Sequence, residues 1–192
     1  MDDIAVGRAS GQGSTECLRH ERDRAAERSS EQCATAAQGR GVDRHGRAIV
    51  VSVGRLHPAK GVTRVVRDWL SNEQLTASTN LVIVGGDLDR PNPVEAQILA
   101  EIAELVAGHP AAPGVVLLGA REPAVIAHVL TTAVRGDGDR IAPGGVYVNG
   151  AAKEEFGLAV LEALACGLPV VAPRAGGPST YVEADMTGVL VD

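Results

Sequence analysis

The sequence predicts an α/β fold, a doubly wound parallel sheet of about six strands, preceded by a polar tail. Three observations carry that prediction. Six apolar runs of strand length recur between Ala48 and Asp192. Helical patterns with one apolar face separate them. The runs are apolar on both faces, as strands covered by helices on both sides must be.

The strand runs, in chain order, are AIVVSVG (48–54), LVIVGG (81–86), GVVLLG (114–119), GVYVNG (145–150), LPVVAP (168–173) and GVLV (188–191). In GVTRVVRDWL (61–70), Val62, Val65, Val66 and Trp69 share one helical face. In VEAQILAEIAELVA (94–107), Ile98, Leu99, Ile102, Leu105 and Val106 do the same. EPAVIAHVLTTA (122–133), EEFGLAVLEALAC (154–166) and PSTYVEA (178–184) complete the helical set. Alternation of strand and helix implies parallel strands joined by right-handed crossovers.

Residues 1–47 differ in kind. They carry almost no large apolar side chain and hold eight acids against eight bases. Such a stretch cannot bury enough surface to offset its ordering entropy, so a disordered tail is expected. A short Ala/Arg/Glu helix around Cys17–Glu31 would have no apolar face to dock. Residues 48–192 form the second unit, with sixteen acids and ten bases. That acidic balance argues against broad nucleic-acid or anionic-membrane binding, and a phosphate ligand would need a few placed cations. Aromatics make up only 2% of the chain, so Ala, Val, Leu and Ile must build the core. No apolar run reaches about 18 residues, the length of a membrane span. The opening MDDIAVGRASGQG lacks the form of a signal peptide. Cys17, Cys33 and Cys166 form no C-x-x-C pair. A cytoplasmic, reduced protein is the expectation.

In sheets of this kind, ligands sit beyond the carboxyl ends of the strands. Those ends are VGRLHPAKG, VGGDLDRP, LLGAREP, VNGAAKEEFG and APRAGGP, rich in Gly, Pro and charge. No G-x-G-x-x-G follows the first strand, and no G-x-x-x-x-G-K-[ST] occurs anywhere. These absences weaken dehydrogenase, epimerase and ATPase readings.

The first loop places Arg55 and Lys60 just past strand one. An Arg fork and a Lys point charge together suit a diphosphate. Lys60 and Lys153 are the chain's only two lysines, against sixteen arginines, so a lysine here is unusual for this sequence. Against that stands the plain reading of a solvated surface loop. The loop Lys153–Leu158 opens a helix whose first N–H groups and dipole would favour an anion. Gly157 would let a phosphate or sugar approach the backbone closely. Glu162, near the apolar stripe of that helix, needs water or a partner, because an unpaired buried carboxylate is costly. Ribose hydroxyls would serve as donors, and solvent would serve equally. Two D-x-D triplets, Asp87–Asp89 and Asp137–Asp139, have the form of a weak divalent-cation signal. His57 sits in the cationic loop, where exposure or ligand contact are both open. His109 and His128 read as structural or exposed, and Cys166 as a small core residue.

Taken together, these pieces resemble the retaining glycosyltransferases of the GT-B fold that include the sucrose-phosphate synthases and sucrose synthases. VSVGRLHPAKG is similar to that family's first strand and its diphosphate loop. NLVIVGGDLDRPNPVEAQIL resembles the second strand and adjoining segment of the sucrose-type members. EEFGLAVLE reproduces an E-x7-E element with Glu154 and Glu162 as its two acids. ALACGLPVVAPRAGGPSTYVE and GVLVD match the succeeding helix, strand, Gly-rich turn and last strand.

The resemblance implies a Rossmann-like domain forming the C-terminal, donor-binding half of such an enzyme. Arg55 and Lys60 would hold the donor diphosphate and neutralise the leaving group. Glu154 would contact the transferred sugar, with backbone groups of Phe156, Gly157 and Leu158. Glu162 would take the ribose hydroxyls. Such enzymes need no metal and no cofactor beyond the nucleotide-sugar itself, UDP-glucose being the sucrose-type donor. The acceptor, a sugar or sugar phosphate, would sit on a separate domain.

Departures from the resemblance set further expectations. Val148-Asn149-Gly150 stands where Asn-Pro or Pro-Ser is usual, which points to a looser loop. Glu155 adds a negative charge near the diphosphate. The long acceptor domain and the closing helices have no counterpart here, so residues 48–192 are expected to be a domain incomplete at its C-terminus. Two readings result: a donor domain completed by an acceptor domain elsewhere, or a truncated, non-catalytic nucleotide-sugar-binding module.

Overall fold

All six apolar runs become strands in the computed structural model, which describes residues 44–192. The first 43 residues of the predicted tail, with the helix around Cys17–Glu31, lie outside the described residues. The strands are β1 (Ala48–Val53), β2 (Thr79–Val84), β3 (Val115–Gly119), β4 (Val146–Val148), β5 (Val170–Pro173) and β6 (Gly188–Val191). The helices are α1 (Val62–Leu70), α2 (Glu73–Ser78), α3 (Pro93–Val106), α4 (Pro123–Arg135) and α5 (Leu158–Ala165). The strands form one sheet in the order β3-β2-β1-β4-β5-β6, with every pairing parallel. The order reverses between β1 and β4, and a crevice opens beyond the carboxyl ends of the strands at such a reversal.

Side chains alternate across the sheet, so each strand feeds two cores. On one face, Ile49, Val51, Val82, Val84, Tyr147 and Val170 pack under Leu130 of α4 and Val160 of α5. On the other, Val50, Leu81 and Ile83 pack under α1 and α3, where Val65, Val66, Trp69, Ile98 and Ile102 close the layer. The four apolar residues predicted to share the α1 face are all buried. In α3, Ile98, Leu99 and Ile102 are buried, with Leu105 and Val106 packed at the margin.

Local chemistry fixes the ends. The α3 helix starts with a capping box: the Asn92 side chain accepts from Val94 and Glu95 N–H, and the Glu95 carboxylate accepts from Asn92 N–H. Pro93 comes next, at a position where its missing N–H costs nothing. Helix α2 has no apolar repeat and escapes prediction, yet the Asn72 side chain caps it by accepting from Leu75 N–H.

Two predicted helices are shorter than expected. Helix α5 begins at Leu158 rather than Glu154, because the backbone of Glu154 is drawn to the next loop, donating to Ala175 O and sharing a bridge with Gly176. The segment predicted helical over 178–184 is a single 3-10 turn, Gly177–Thr180. Beyond it the chain tightens into a bend in which Glu183 and Thr187 bond to each other and Asp185 takes φ of 64°.

One part of the second face carries no helix among the described residues. Val148 of β4, Val171 of β5, and Val189 and Val191 of β6 point there by register, and the last two are 51% and 42% exposed. Between Val148, Val171 and Val191 on one side and Val65, Trp69 and Leu75 on the other lies a cavity of about 480 Å³. No helix among the described residues is long and apolar enough to cross a membrane.

Candidate functional site

The sheet places the loop after β1 beside the loop after β4, since those strands are neighbours at the reversal. Glycine lets the backbones meet there. A Cβ on Gly61 would lie 1.9 Å from Gly150 O, and one on Gly150 would lie 2.7 Å from Gly61 O. On the opposite side of the first loop, a Cβ on Gly85 would strike Gly54 O at 1.8 Å. The loop itself is a 3-10 turn, Pro58–Lys60, capped by His57, whose Nδ1 accepts from Ala59 N–H. Gly61 ends that turn in the left-handed region, with φ of 63°, and starts α1.

Lys60, the last residue of the turn, therefore projects toward the β4 loop. Its Nζ lies 2.6 Å from Oε2 of Glu154. The pair is largely withdrawn from solvent, with side-chain exposures of 29% for the lysine and 12% for the glutamate. Asn149 Nδ2 donates to the same carboxylate oxygen at 3.0 Å. Asn149 is itself buried, and its Oδ1 accepts from Ala151 N–H. Burial acts to raise the Glu154 pKa, but the hydrogen bonds from Lys60 and Asn149 and the lysine charge outweigh it and hold the carboxyl below the ordinary glutamate value.

The main chain of Glu154 is pinned as well. Its N–H donates to Ala175 O and its carbonyl accepts from Gly177 N–H. Gly176 allows this approach, since a Cβ there would sit 1.9 Å from Glu154 O. Gly157 caps α5 in the left-handed region, with φ of 84°, and as a glycine supplies no side-chain cap bond to that helix. The Tyr181 hydroxyl fills the space where a Gly157 Cβ would be, and donates to Phe156 O at 2.7 Å. Burial, then the nearby Glu154 charge, push the Tyr181 phenol up. Deeper in the sheet, the Tyr147 hydroxyl donates to Val53 O, tying the end of β4 to the end of β1.

Of the sequence candidates, Lys60, Glu154, Phe156, Gly157 and Leu158 gather at this one rim. Phe156 and Leu158 are exposed on it. Arg55 follows Gly54 on the same loop, exposed, and its side chain makes no hydrogen bond or ion pair among the described residues. Glu162 is exposed on α5, near enough for its charge to act on the Tyr147 phenol. The loop expected to be loose at Gly150 is instead packed against Gly61 and Val65, because glycine admits a contact that a larger residue would block. Glu155 is exposed and paired with Lys153 at 2.8 Å, so its charge is partly compensated at the surface.

Both D-x-D triplets are turn elements. The Asp87 side chain accepts from the N–H groups of Asp89 and Arg90. Asp137 closes a turn with Arg140 and Ile141 that packs beside Gly46 and Arg47, at the start of β1 and far from the strand carboxyl ends. Among the described residues no three His, Cys, Asp or Glu side chains cluster as metal ligands would. His109 caps a turn through Ala111 N–H, His128 is exposed, and Cys166 packs at the edge of the core.

Asn149 and Tyr181 are the site residues that motif reasoning passed over. A faint signal existed for Tyr181: the chain has four aromatic residues, and Tyr147, Phe156 and Tyr181 are three of them.

Residues 47–192 match the family described as Glycosyl transferases group 1. Sucrose synthase 2 of Arabidopsis thaliana is 34% identical over 146 residues, covering 75% of this chain and 18% of the relative. The sucrose synthase of Acidithiobacillus caldus is 32% identical over 162 residues, covering 79% and 20%. The chain thus spans about a fifth or less of the length of these relatives. Among solved structures, Anabaena HepE in complex with UDP and glucose superposes with a TM-score of 0.60 at 25% identity, covering 88% of this chain and 38% of that one. Sucrose-phosphate synthase from Thermosynechococcus elongatus gives 0.59 at 28% identity, covering 79% and 33%. With a family match over the whole sheet and a Rossmann-like order of strands shared with GT-B enzymes, the chain belongs to the group 1 glycosyl transferases.

Proposed function

We propose that residues 48–192 form the donor domain of a retaining glycosyltransferase, which passes a hexosyl group from a nucleoside-diphosphate sugar to an acceptor bound by a separate domain. One observation carries this reading: Lys60 and Glu154, 94 positions apart in sequence, meet at 2.6 Å at the sheet's reversal point. A cation for phosphate and a carboxylate for sugar hydroxyls then stand side by side, as a nucleotide-sugar presents those groups.

In this reading Lys60 and Arg55 hold the diphosphate, with the first turn of α5 behind it. As the bond between the sugar C1 and the β-phosphate oxygen breaks, its electron pair stays on that oxygen, the acceptor hydroxyl oxygen bonds to C1, and the hydroxyl proton passes to the departing phosphate. Arg55, Lys60 and the helix dipole stabilise the charge that develops, without a metal in the scheme. Glu154 orients the sugar, aided by the backbone of Phe156, Gly157 and Leu158, and exposed Glu162 accepts from the ribose hydroxyls. The sucrose-type relatives, and HepE with UDP and glucose, favour UDP-glucose as donor and a sugar or sugar phosphate as acceptor.

The share of the relatives covered favours a second reading for the 192 residues by themselves: they bind donor but transfer no sugar. Calorimetric titration with UDP, GDP and ADP and with their glucose conjugates tests the common claim. Binding of at least one at or below millimolar concentration is expected, and binding of none sinks both readings. Release of UDP from UDP-glucose in the presence of candidate acceptors then separates the two.

A further inference from the structure

We propose that Glu154 makes this site select nucleotide-sugars over bare nucleoside diphosphates, by acting as an internal anion that competes for the Lys60 ammonium. The inference rests on the donor reading above and adds a specificity to it.

Lys60 is engaged by a partner within the fold itself. Its Nζ contacts Glu154 Oε2 at 2.6 Å, inside a pair that solvent reaches poorly. Any phosphate approaching Lys60 must share that cation with a carboxylate. The carboxylate cannot readily swing aside. Asn149 Nδ2 holds the same oxygen at 3.0 Å, Asn149 is fixed in turn by Ala151 N–H, and the Glu154 backbone is tied to Ala175 and Gly177.

The two ligand classes differ at this point in space. The terminal phosphate of a bare diphosphate carries a second negative charge and, when ionised, offers only acceptors. Beside Glu154 it meets like charge and no donor to satisfy the carboxylate. In a nucleotide-sugar that second charge is replaced by an ester to a neutral ring bearing hydroxyl donors. Glu154 can accept from those hydroxyls while Lys60 bridges carboxylate and phosphate. The withdrawn setting sharpens the contrast, since charges screened less by water interact more strongly. The same repulsion favours departure of the diphosphate once the sugar has left.

The test compares affinities of the full 192-residue chain for UDP and UDP-glucose, and for ADP and ADP-glucose, by calorimetry. The readout is the ratio of the diphosphate Kd to the nucleotide-sugar Kd. Glu154→Gln keeps shape and hydrogen-bonding capacity but removes the charge. It is expected to tighten diphosphate binding and lower the ratio about tenfold. Asn149→Ala leaves the charge but frees the carboxylate to move, and is expected to shift the ratio the same way by a smaller factor. Thermal melts establish that each variant folds; if Glu154→Gln does not, the Asn149→Ala shift decides. A ratio within twofold of the parent in the folded variant overturns the selectivity while leaving donor binding intact. If the parent chain binds neither ligand of either pair, the donor reading itself fails and takes this inference with it.

Discussion

The carbonyl oxygen of Gly150 lies only 1.9 Å from the point where a side chain on Gly61 would have to begin. The loop after β1 and the loop after β4 are therefore seated against each other through two glycines. Gly61 also holds φ of 63°, where any Cβ is strained. Gly61→Ala is expected to cost about 2–4 kcal/mol, the strain of that conformation plus displacement of a backbone carbonyl. Urea unfolding measures it, and a loss under about 1 kcal/mol would mean that the two loops part without resistance.

Lys60 and Arg55 are both cationic, but among the described residues only Lys60 is held by a partner. Alanine at either position is expected to weaken nucleoside-diphosphate binding by about 1.5–3 kcal/mol, roughly ten- to a hundredfold in Kd. Calorimetric titration gives the answer directly. Unchanged affinity in both variants removes the diphosphate assignment.

The Glu154 carboxyl is held below its ordinary value, so it supplies stability that depends on pH. A depressed folded pKa means that this contribution is complete above the unfolded value, about 4.3 for a glutamate, and is lost as pH falls from there through the folded value. The stability difference between the parent and Glu154→Gln should therefore be flat from neutrality to roughly pH 5.5 and shrink below about pH 4. A difference that stays constant down to pH 3 would contradict the pairing with Lys60 and Asn149.

Tyr181→Phe deletes one hydroxyl, the donor to Phe156 O at 2.7 Å, and leaves the ring packed. The expected stability loss is about 0.5–1.5 kcal/mol. If Tyr181 orders the backbone that receives the donor, nucleotide-sugar affinity falls as well. Stability loss with unaltered affinity would confine Tyr181 to packing.

Burial separates two apolar side chains that the sequence treats alike. Leu130, buried under the sheet by α4, should cost about 2–5 kcal/mol when cut to alanine. Val191, 42% exposed on β6, should cost no more than about 0.5 kcal/mol. Paired denaturation curves check both, and a large loss at Val191 would show that the face beside β6 is covered in solution.

The strands and the longer helices were legible because period and polarity act over many residues. A run such as Leu81–Val84, apolar at every position, has few homes other than a sheet buried on both sides. Short elements were not. The α2 helix rests on one asparagine cap, and the predicted helix over 178–184 contracts to a turn because the bonds between Glu183 and Thr187 close a tight bend there. The start of α5 moved by one turn for a similar reason, the backbone of Glu154 preferring Ala175 and Gly177 to a helical partner.

The site divides along the same line. Local chemistry in the chain, two cations past one strand and an acid-glycine run past another, was enough to name Arg55, Lys60, Glu154 and Gly157 as candidates. It could not say which would touch. Side-chain type and spacing specify local conformation, whereas pairing between residues 94 apart is set by the strand order that brings β1 beside β4. Only that tertiary neighbourhood joined Lys60 to Glu154, left Arg55 exposed at the surface, and recruited Asn149 and Tyr181, whose roles come from the groups packed around them.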